Sequence, residues 1–229
     1  MKIKKLKILG IIPARKGSKG IPNKNFIKVS KKKRLIDFTI TEALKSKFIS
    51  KLALSTDDTK IMKYSRKYKI DYFIKRSKKY SQDNSKSIDV VLDVLKKTRD
   101  FNADLIMLLQ PTSPLRKSSH IDSSIKLLCK NYKKYNSLVS VSYLEEPHPY
   151  KLKKIKNKFL VSFIKNKNSE IPRQKLEKVY KLNGCIYLIK KNVLKTKKTF
   201  FNKTLPFIMD KKFSLNIDTI DDLKNIKNL

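Results

Sequence analysis

Between Pro13 and Asn25 the chain reads Pro-Ala-Arg-Lys-Gly-Ser-Lys-Gly-Ile-Pro-Asn-Lys-Asn, which gathers one Arg, three Lys and two of the chain's four Gly into one loop. Glycine lets backbone N–H groups approach an anion closely, and Arg and Lys neutralise it. Such a loop suits a triphosphate. Its spacing matches neither G-x-x-x-x-G-K-S/T nor G-x-G-x-x-G, and in so Lys-rich a chain an ordinary basic turn is the competing reading. A second polar point is Gln110 in Gln110-Pro111-Thr112-Ser113-Pro114, where proline fixes the turn and the amide is placed to bond a ligand.

These loops need a scaffold, and the hydrophobic pattern supplies one. Apolar runs suited to buried strands fall at Ile8–Ile12, Lys51–Ser55, Tyr72–Ile74, Asp104–Leu109 and Ser137–Ser142. Helical periods alternate with them. One runs over Leu35–Lys47 with Leu35, Phe38, Ala43 and Leu44 inward, one is capped by Thr56 or Asp57, one carries Ile88, Val91, Leu92 and Leu95 on one face, and one is capped by Ser118 or Ser119 and runs through Lys130. This β/α alternation predicts a mainly parallel sheet flanked by helices. In such sheets ligands bind beyond the carboxyl ends of the strands, where both polar loops fall.

After Glu145 the alternation breaks. Lys151–Ile155 and Phe159–Ile164 around Lys156-Asn157-Lys158 read as a hairpin, so residues 146–182 form an excursion suited to embracing a second subunit. The sheet pattern resumes with a strand at Asn183–Ile189, a short helix over Lys191–Leu194, an apolar piece at Pro206–Met209 and a closing helix from Thr219. At 229 residues with 40% hydrophobic content, one domain over 1–229 is the expectation.

The formal charge of +37 and the pI near 10.1 invite a nucleic-acid reading. Against it, only seven basic residues are Arg (Arg15, Arg34, Arg66, Arg76, Arg99, Arg116, Arg173), and Lys is spread through nearly every helix and loop. Base and phosphate readers favour Arg and stacking aromatics. Abundant Asn and Ile beside scarce Gly fit a drift of codon usage toward A and T. No specific nucleic-acid partner is expected. Cys129 and Cys185 have no Cys or His partner at ligand spacing and are read as buried free thiols. The basic start Met1–Leu6 precedes an apolar run, Ile8–Pro13, too short for a signal peptide core or a membrane span. The expectation is a cytosolic protein with no membrane partner.

Six segments, in register from near residue 8 to near residue 225, resemble bacterial CMP-sialic acid synthetases, the acylneuraminate cytidylyltransferases. They are Ile12–Asn25, Leu54-Ser55-Thr56-Asp57, Leu109–Arg116, Pro172-Arg173-Gln174, Leu182–Tyr187 and Ile217-Asp218-Thr219. The resemblance implies a Rossmann-like nucleotidyltransferase in which the anomeric hydroxyl of a nine-carbon sugar acid attacks the α-phosphate of CTP and pyrophosphate leaves. By the same resemblance Arg15 and Lys19 hold the phosphates with Lys24 as helper, and Asn25, Arg76 and Ser87 contact cytidine; Ser87 has a helix cap as its alternative reading. Gln110 bonds the sugar, Arg173 with Gln174 meets its carboxylate, reaching in from a partner subunit, and Asn183 bonds hydroxyls or the acyl group. Arg116 has a structural reading, pairing with the helix that follows it.

The resemblance further implies Mg²⁺ on Asp218. Close relatives often carry a second aspartate where this chain has Asn216, which keeps an oxygen ligand and loses a charge. Asp221 and Asp222 read as capping or surface charges. Neither His120 nor His148 matches a catalytic position, so no general base is evident. A homodimer is expected. Gly20-Ile21-Pro22 favours N-acetylneuraminic or legionaminic acid as acceptor; pseudaminic and octulosonic acids are the alternatives, and a non-catalytic polyanion-binding scaffold is the rival of another class.

Overall fold

The computed structural model describes residues 6–18, 20–82, 84–165 and 169–227. Strands β1 (Ile8–Pro13), β2 (Lys51–Thr56), β3 (Tyr72–Lys75), β4 (Leu105–Leu108), β5 (Ser137–Tyr143), β8 (Tyr180–Lys190) and β9 (Thr204–Ile208) form a seven-stranded sheet in the order β3-β2-β1-β4-β8-β5-β9. β6 (Lys153–Lys156) and β7 (Phe159–Ser162) form a separate antiparallel pair. Within the seven-stranded sheet β8 pairs antiparallel with β4 and β5, and the other pairs are parallel. From β1 the chain steps to β2 and β3 on one side and then returns to β4 on the other. The strand order therefore reverses between β1 and β4, and a crevice opens there at the carboxyl edge.

The helices are α1 (Leu35–Leu44), α2 (Thr59–Ser65), α3 (Ser87–Lys97), α4 (Ser118–Lys130), α5 (Lys191–Lys197) and α6 (Ile220–Lys227). Strand side chains alternate between two cores, as the pleat requires. Ile8, Ile12, Leu105 and Met107 pack with Ile36 and Ile40 of α1 and Ile121, Ile125 and Leu128 of α4. Leu9, Ile11, Ile106 and Leu108 pack with Val91, Val94 and Leu95 of α3 and Leu194 of α5. Both Cys129 and Cys185 are buried free thiols, as the sequence suggests, and burial raises the pKa of each.

Several boundaries depart from expectation, each for a tertiary reason. α1 ends at Leu44, and Leu44 faces out, because Asp122 of α4 accepts from Ser46 Oγ at 2.6 Å and from the Lys47 amide at 3.1 Å. α2 is capped by Asp58, which accepts from Lys60 N at 2.7 Å, and neither Thr56 nor Asp57 is its cap. Lys117 stands at the cap position of α4, and Ser118 N donates at 2.7 Å to Glu42 on α1. β8 starts at Tyr180, three residues before Asn183, because Tyr180, Lys181 and Leu182 pair with Tyr143, Ser142 and Val141.

A third, small core matters most for the crevice. Ile21 of the glycine-containing loop, Val29, Leu35, Ile217, Leu223 and Ile226 pack together. They weld that loop to the segment carrying Asp218 and to α6. Ile217 is fully buried and its amide donates to Thr112 O at 2.7 Å, so one residue links the Gln110–Pro114 turn to both. Ile217→Ala should cost about 2–4 kcal/mol of stability by leaving a cavity, read as a lowered midpoint in urea. A cost near zero would mean that this core does not hold the C-terminal segment.

Candidate active site

The crevice is built from strand ends. Ala14 N donates to Ser55 O at 2.9 Å, continuing the β1–β2 ladder into the loop. Two side chains then shape that loop. Asp57 Oδ1 accepts from Lys16 N at 2.9 Å, and Asn25 Nδ2 donates to Arg15 O at 3.0 Å. Asp57 thus serves the loop instead of a helix. Asn23, at φ 53°, takes the left-handed turn that starts the short 3-10 segment Lys24–Phe26.

Arg76 follows β3. Its amide donates to Thr56 O at 2.9 Å, and its guanidinium donates to Ser55 O at 2.8 Å and to Ser55 Oγ at 3.3 Å. Burial pushes its pKa down to about 10, with Asp57 opposing that shift and Arg15 adding to it. The group is still a cation at neutral pH.

Gln110 leaves β4, and its carbonyl is approached by Arg116 Nη1 and Thr39 Oγ1, each at 3.4 Å. Arg116 is wholly buried and donates to Cys185 O and to Thr39 Oγ1, both at 2.8 Å. Its structural reading holds, although the partners are α1 and β8 instead of the helix that follows it. Gly184, at φ 72°, passes beneath Gln110. A Cβ there would stand 2.8 Å from Gln110 Oε1, 3.3 Å from Ser113 Oγ and 3.6 Å from Asn216 Oδ1. The left-handed conformation favours glycine, and a Cβ would displace the end of the Gln110 side chain.

Asp218 comes from the segment before α6. Lys24 Nζ donates to its Oδ1 at 2.9 Å and Asn216 Nδ2 donates to its Oδ2. Asp222 accepts from Asp218 N, Thr219 N and Thr219 Oγ, while Thr219 Oγ accepts from Asp222 N, a reciprocal cap on α6. Burial alone would raise the Asp222 pKa, but these hydrogen bonds and the Lys24 charge outweigh it and hold the carboxyl below its ordinary value. Asp221 pairs with Lys224 at 2.9 Å. The capping and surface roles expected of this acidic pair are therefore what the structure gives them.

Arg15, Lys24, Asn25, Arg76, Ser87, Gln110, Asn216 and Asp218 all line one cavity of about 390 Å³. Tyr80, Gln82, Ser85 and Thr112 also line it and escaped the sequence reading. The first three lie in the polar stretch that follows β3, between Lys75 and α3. Ser87 is the first residue of α3, and Lys86 takes the cap position. Lys19 lies outside the described residues. Ser87 and Gln110 also border a second cavity of about 320 Å³, lined by Leu182, Tyr187, Phe200 and Phe201.

Asn183 is buried. Its amide oxygen accepts from Ser140 Oγ at 2.6 Å and Cys185 N at 3.1 Å, and its nitrogen donates to Ser214 at 3.0 Å. It borders a third cavity, which adjoins the first through Asn216 and Asp218. Arg173 and Gln174 are not brought to these cavities within one chain. They occupy an exposed turn of the excursion, with Arg173 paired to Glu146 at 3.4 Å.

The imidazoles stand apart as well. His120 Nδ1 accepts from Lys117 N, and burial lowers its pKa; His148 Nδ1 accepts from Tyr150 N. Among the described residues no cluster of three or more His, Cys, Asp or Glu could hold a metal. The oxygen donors at hand are the Asp218 carboxylate and Asn216 Oδ1, which is buried without a hydrogen-bond partner. One carboxylate and one amide oxygen suit a hard cation that completes its shell with phosphate oxygens and water.

Three cations, an amide at a proline-fixed turn and one carboxylate line a crevice at the strand-order reversal of a doubly wound sheet, a chemistry suited to a polyanionic ligand. The cytidylyltransferase family profile matches residues 9–229, and the chain belongs to that family. It is 34% identical over 213 residues to the N-acylneuraminate cytidylyltransferase of Escherichia coli O18:K1:H7, covering 93% of this chain and 49% of that protein. It therefore spans about half the length of that relative. It is 32% identical over 226 residues to the CMP-N,N'-diacetyllegionaminic acid synthase of Legionella pneumophila, covering 93% of this chain and 92% of that one. In fold it is similar to CMP:2-keto-3-deoxy-manno-octonic acid synthetase complexed with CTP, with a TM-score of 0.72, 16% identity and 97% of both chains covered. No helix among the described residues is long and apolar enough to cross a membrane.

Gly184→Ala should push Gln110 out of place and force a strained backbone. A fall in kcat/KM of about 10-fold or more, with a stability loss of only about 1–2 kcal/mol, is the expected result. An unchanged kcat/KM would separate Gln110 from the reacting centre.

Proposed function

We propose that this chain transfers CMP from CTP to the anomeric hydroxyl of a sialic-acid-like nonulosonic acid and releases pyrophosphate. The observation that carries this reading is the convergence of Arg15, Lys24, Arg76, Gln110 and Asp218 on one cavity in a chain of the cytidylyltransferase family. The acceptor's anomeric oxygen forms the new bond to the α-phosphorus, and the bond from that phosphorus to the bridging oxygen of pyrophosphate breaks. Arg15, Lys19 and Lys24 hold the phosphates; Asn25, Arg76 and Ser87 face the cytidine. Asp218 and Asn216 would hold Mg²⁺, which would supply charge neutralisation at the α-phosphate and the leaving group.

The acceptor is placed through Gln110. That residue borders both the nucleotide cavity and the cavity floored by Leu182, Tyr187, Phe200 and Phe201, whose apolar character suits an acyl group. N-acetylneuraminic or legionaminic acid is the acceptor favoured here. Relatives named for both sugar classes, at similar identity, support the class and not the choice between them. The function is carried by one domain over residues 1–229, with 146–182 as an arm. Asn183, hydrogen-bonded to Ser140, Cys185 and Ser214, shapes the wall of the third cavity, beside Asn216 and Asp218.

Pyrophosphate release should appear with CTP, and not with ATP, GTP or UTP, when Mg²⁺ and one acid from a panel of N-acetylneuraminic, legionaminic, pseudaminic and octulosonic acids are present. Asp218→Ala should lower kcat/KM by at least about 100-fold with the fold retained. A wild-type rate would remove Asp218 from the mechanism. Retention of nucleic acid with steep salt dependence and no turnover with any acid would favour the polyanion-binding scaffold instead.

The arm is proposed to form a homodimer. The β6–β7 hairpin closes through Asn157 and Lys158, both at positive φ, and leaves Ile155, Phe159, Leu160 and Phe163 exposed. A two-stranded hairpin with open apolar faces is marginal alone and gains by pairing. Pairing would also bring Arg173 and Gln174 of one copy toward the acceptor of the other. Phe159→Asp with Leu160→Asp should give monomers in sedimentation velocity and a raised KM for the sugar acid. Fully active monomers would refute the role of the arm.

A further inference from the structure

Asp218 has both carboxylate oxygens in use. Oδ1 takes the Lys24 ammonium at 2.9 Å and Oδ2 takes the Asn216 amide. The Lys24 side chain is 13% exposed, Asp218 62% exposed, so the pair sits at the mouth of the cavity with the cation inside. A divalent cation on Asp218 takes at least one of those oxygens, and an ammonium held on the same carboxylate repels it at close range. Asn216 cannot compensate, because it brings no second negative charge.

The surroundings allow Lys24 to leave without disturbing the loop. A Cβ on Gly20 would stand 2.7 Å from Asp218 O, so the loop backbone already lies against this segment. Ile21 and Ile217 share the small core beneath it. Those contacts, and not the ion pair, hold loop and segment together. Lysine carries a compact charge on a flexible four-carbon stem and can exchange partners by rotamer change alone.

We infer that Lys24 is a resident counter-ion for Asp218 that a divalent cation displaces, and that displacement delivers its ammonium to the triphosphate. Metal and nucleotide then bind cooperatively, since each relieves the pair that competes with the other. The inference rests on the reading that Asp218 ligates the metal.

The test is Mn²⁺ binding to the full chain, followed by calorimetry and by the electron paramagnetic resonance of free Mn²⁺, without nucleotide. Lys24→Met should bind Mn²⁺ roughly three- to five-fold more tightly than wild type. It should also bind CTP more weakly and lose much of the enhancement of Mn²⁺ binding by CTP. Lys24→Arg should behave as wild type. Lys211→Met removes the same charge from the cavity on the other side of Asp218 and should change Mn²⁺ affinity less than about two-fold. Equal gains in Lys24→Met and Lys211→Met would reduce the effect to bulk charge and overturn the inference. Unchanged or weaker binding in Lys24→Met, with binding abolished in Asp218→Asn, would overturn it while leaving the metal assignment intact. Wild-type binding in Asp218→Asn would sink both.

Discussion

Arg116 is the constraint on which the site depends. Its side chain is wholly buried, and no carboxylate among the described residues lies within ion-pair distance. Burial pushes its pKa down to about 10, so it is still charged at neutral pH. An unpaired buried charge costs several kcal/mol unless hydrogen bonds replace its hydration. Here the replacements are Cys185 O, Thr39 Oγ1 and a longer contact to Gln110 O, while Nε has no partner. The guanidinium therefore ties three separate elements, α1, the exit of β4 and the reversed strand β8, at one point. Gly184, next to Cys185, lies under Gln110, where a Cβ would meet the end of the Gln110 side chain at 2.8 Å. A neutral side chain at 116 could fill the volume, but it could not hold three elements in fixed relation.

The charge of the chain acts at two ranges. Across the whole surface, 56 basic against 19 acidic residues set a positive field that draws any polyanion and is screened by salt. At the cavity, selectivity needs fixed positions instead. Arg76 is held by Ser55 and sits beside Asp57, whose carboxylate also anchors the loop through Lys16 N. One aspartate thus supports both the glycine-containing loop and Arg76. The diffuse lysine excess attracts polyanions at long range, and the buried or tethered cations of the cavity give that attraction a fixed geometry.

How much of this the sequence disclosed follows from which interactions are local. β1, β4 and the loops after them were legible because a buried parallel strand is a continuous apolar run and its exit is marked by Gly, Pro and polar residues. The hairpin was legible from two alternating runs around Lys156-Asn157-Lys158. The cap on α6 was legible because Thr219 and Asp222 satisfy each other at short range. The reach of β8 was not, since its first residues pair with β5, some forty positions away in the chain, and carry no continuous apolar signal of their own. The caps of α2 and α4 were misplaced because Asp57 and Glu42 bond across the fold. Tyr80, Gln82 and Ser85 were missed for the opposite reason: a polar loop looks the same whether it faces solvent or a ligand.

Asn216 gives the arrangement at the mouth of the cavity its particular logic. Two carboxylates two residues apart on an extended segment repel unless a cation or a proton stands between them. An amide in one position removes that repulsion, because its N–H donates to the remaining carboxylate, and Asn216 does so to Asp218. The segment is held through Asn216, through the Asp222 cap and through Ile217 in the small core. The same change leaves Asp218 with a single negative charge to offer, and Lys24 already neutralises it. Preorganisation of the backbone and attraction for a divalent cation are therefore traded against each other at one residue. In the function proposed above, a nucleotide polyphosphate would restore the balance, since its oxygens would supply the charge that Asn216 lacks and a second partner for the lysine.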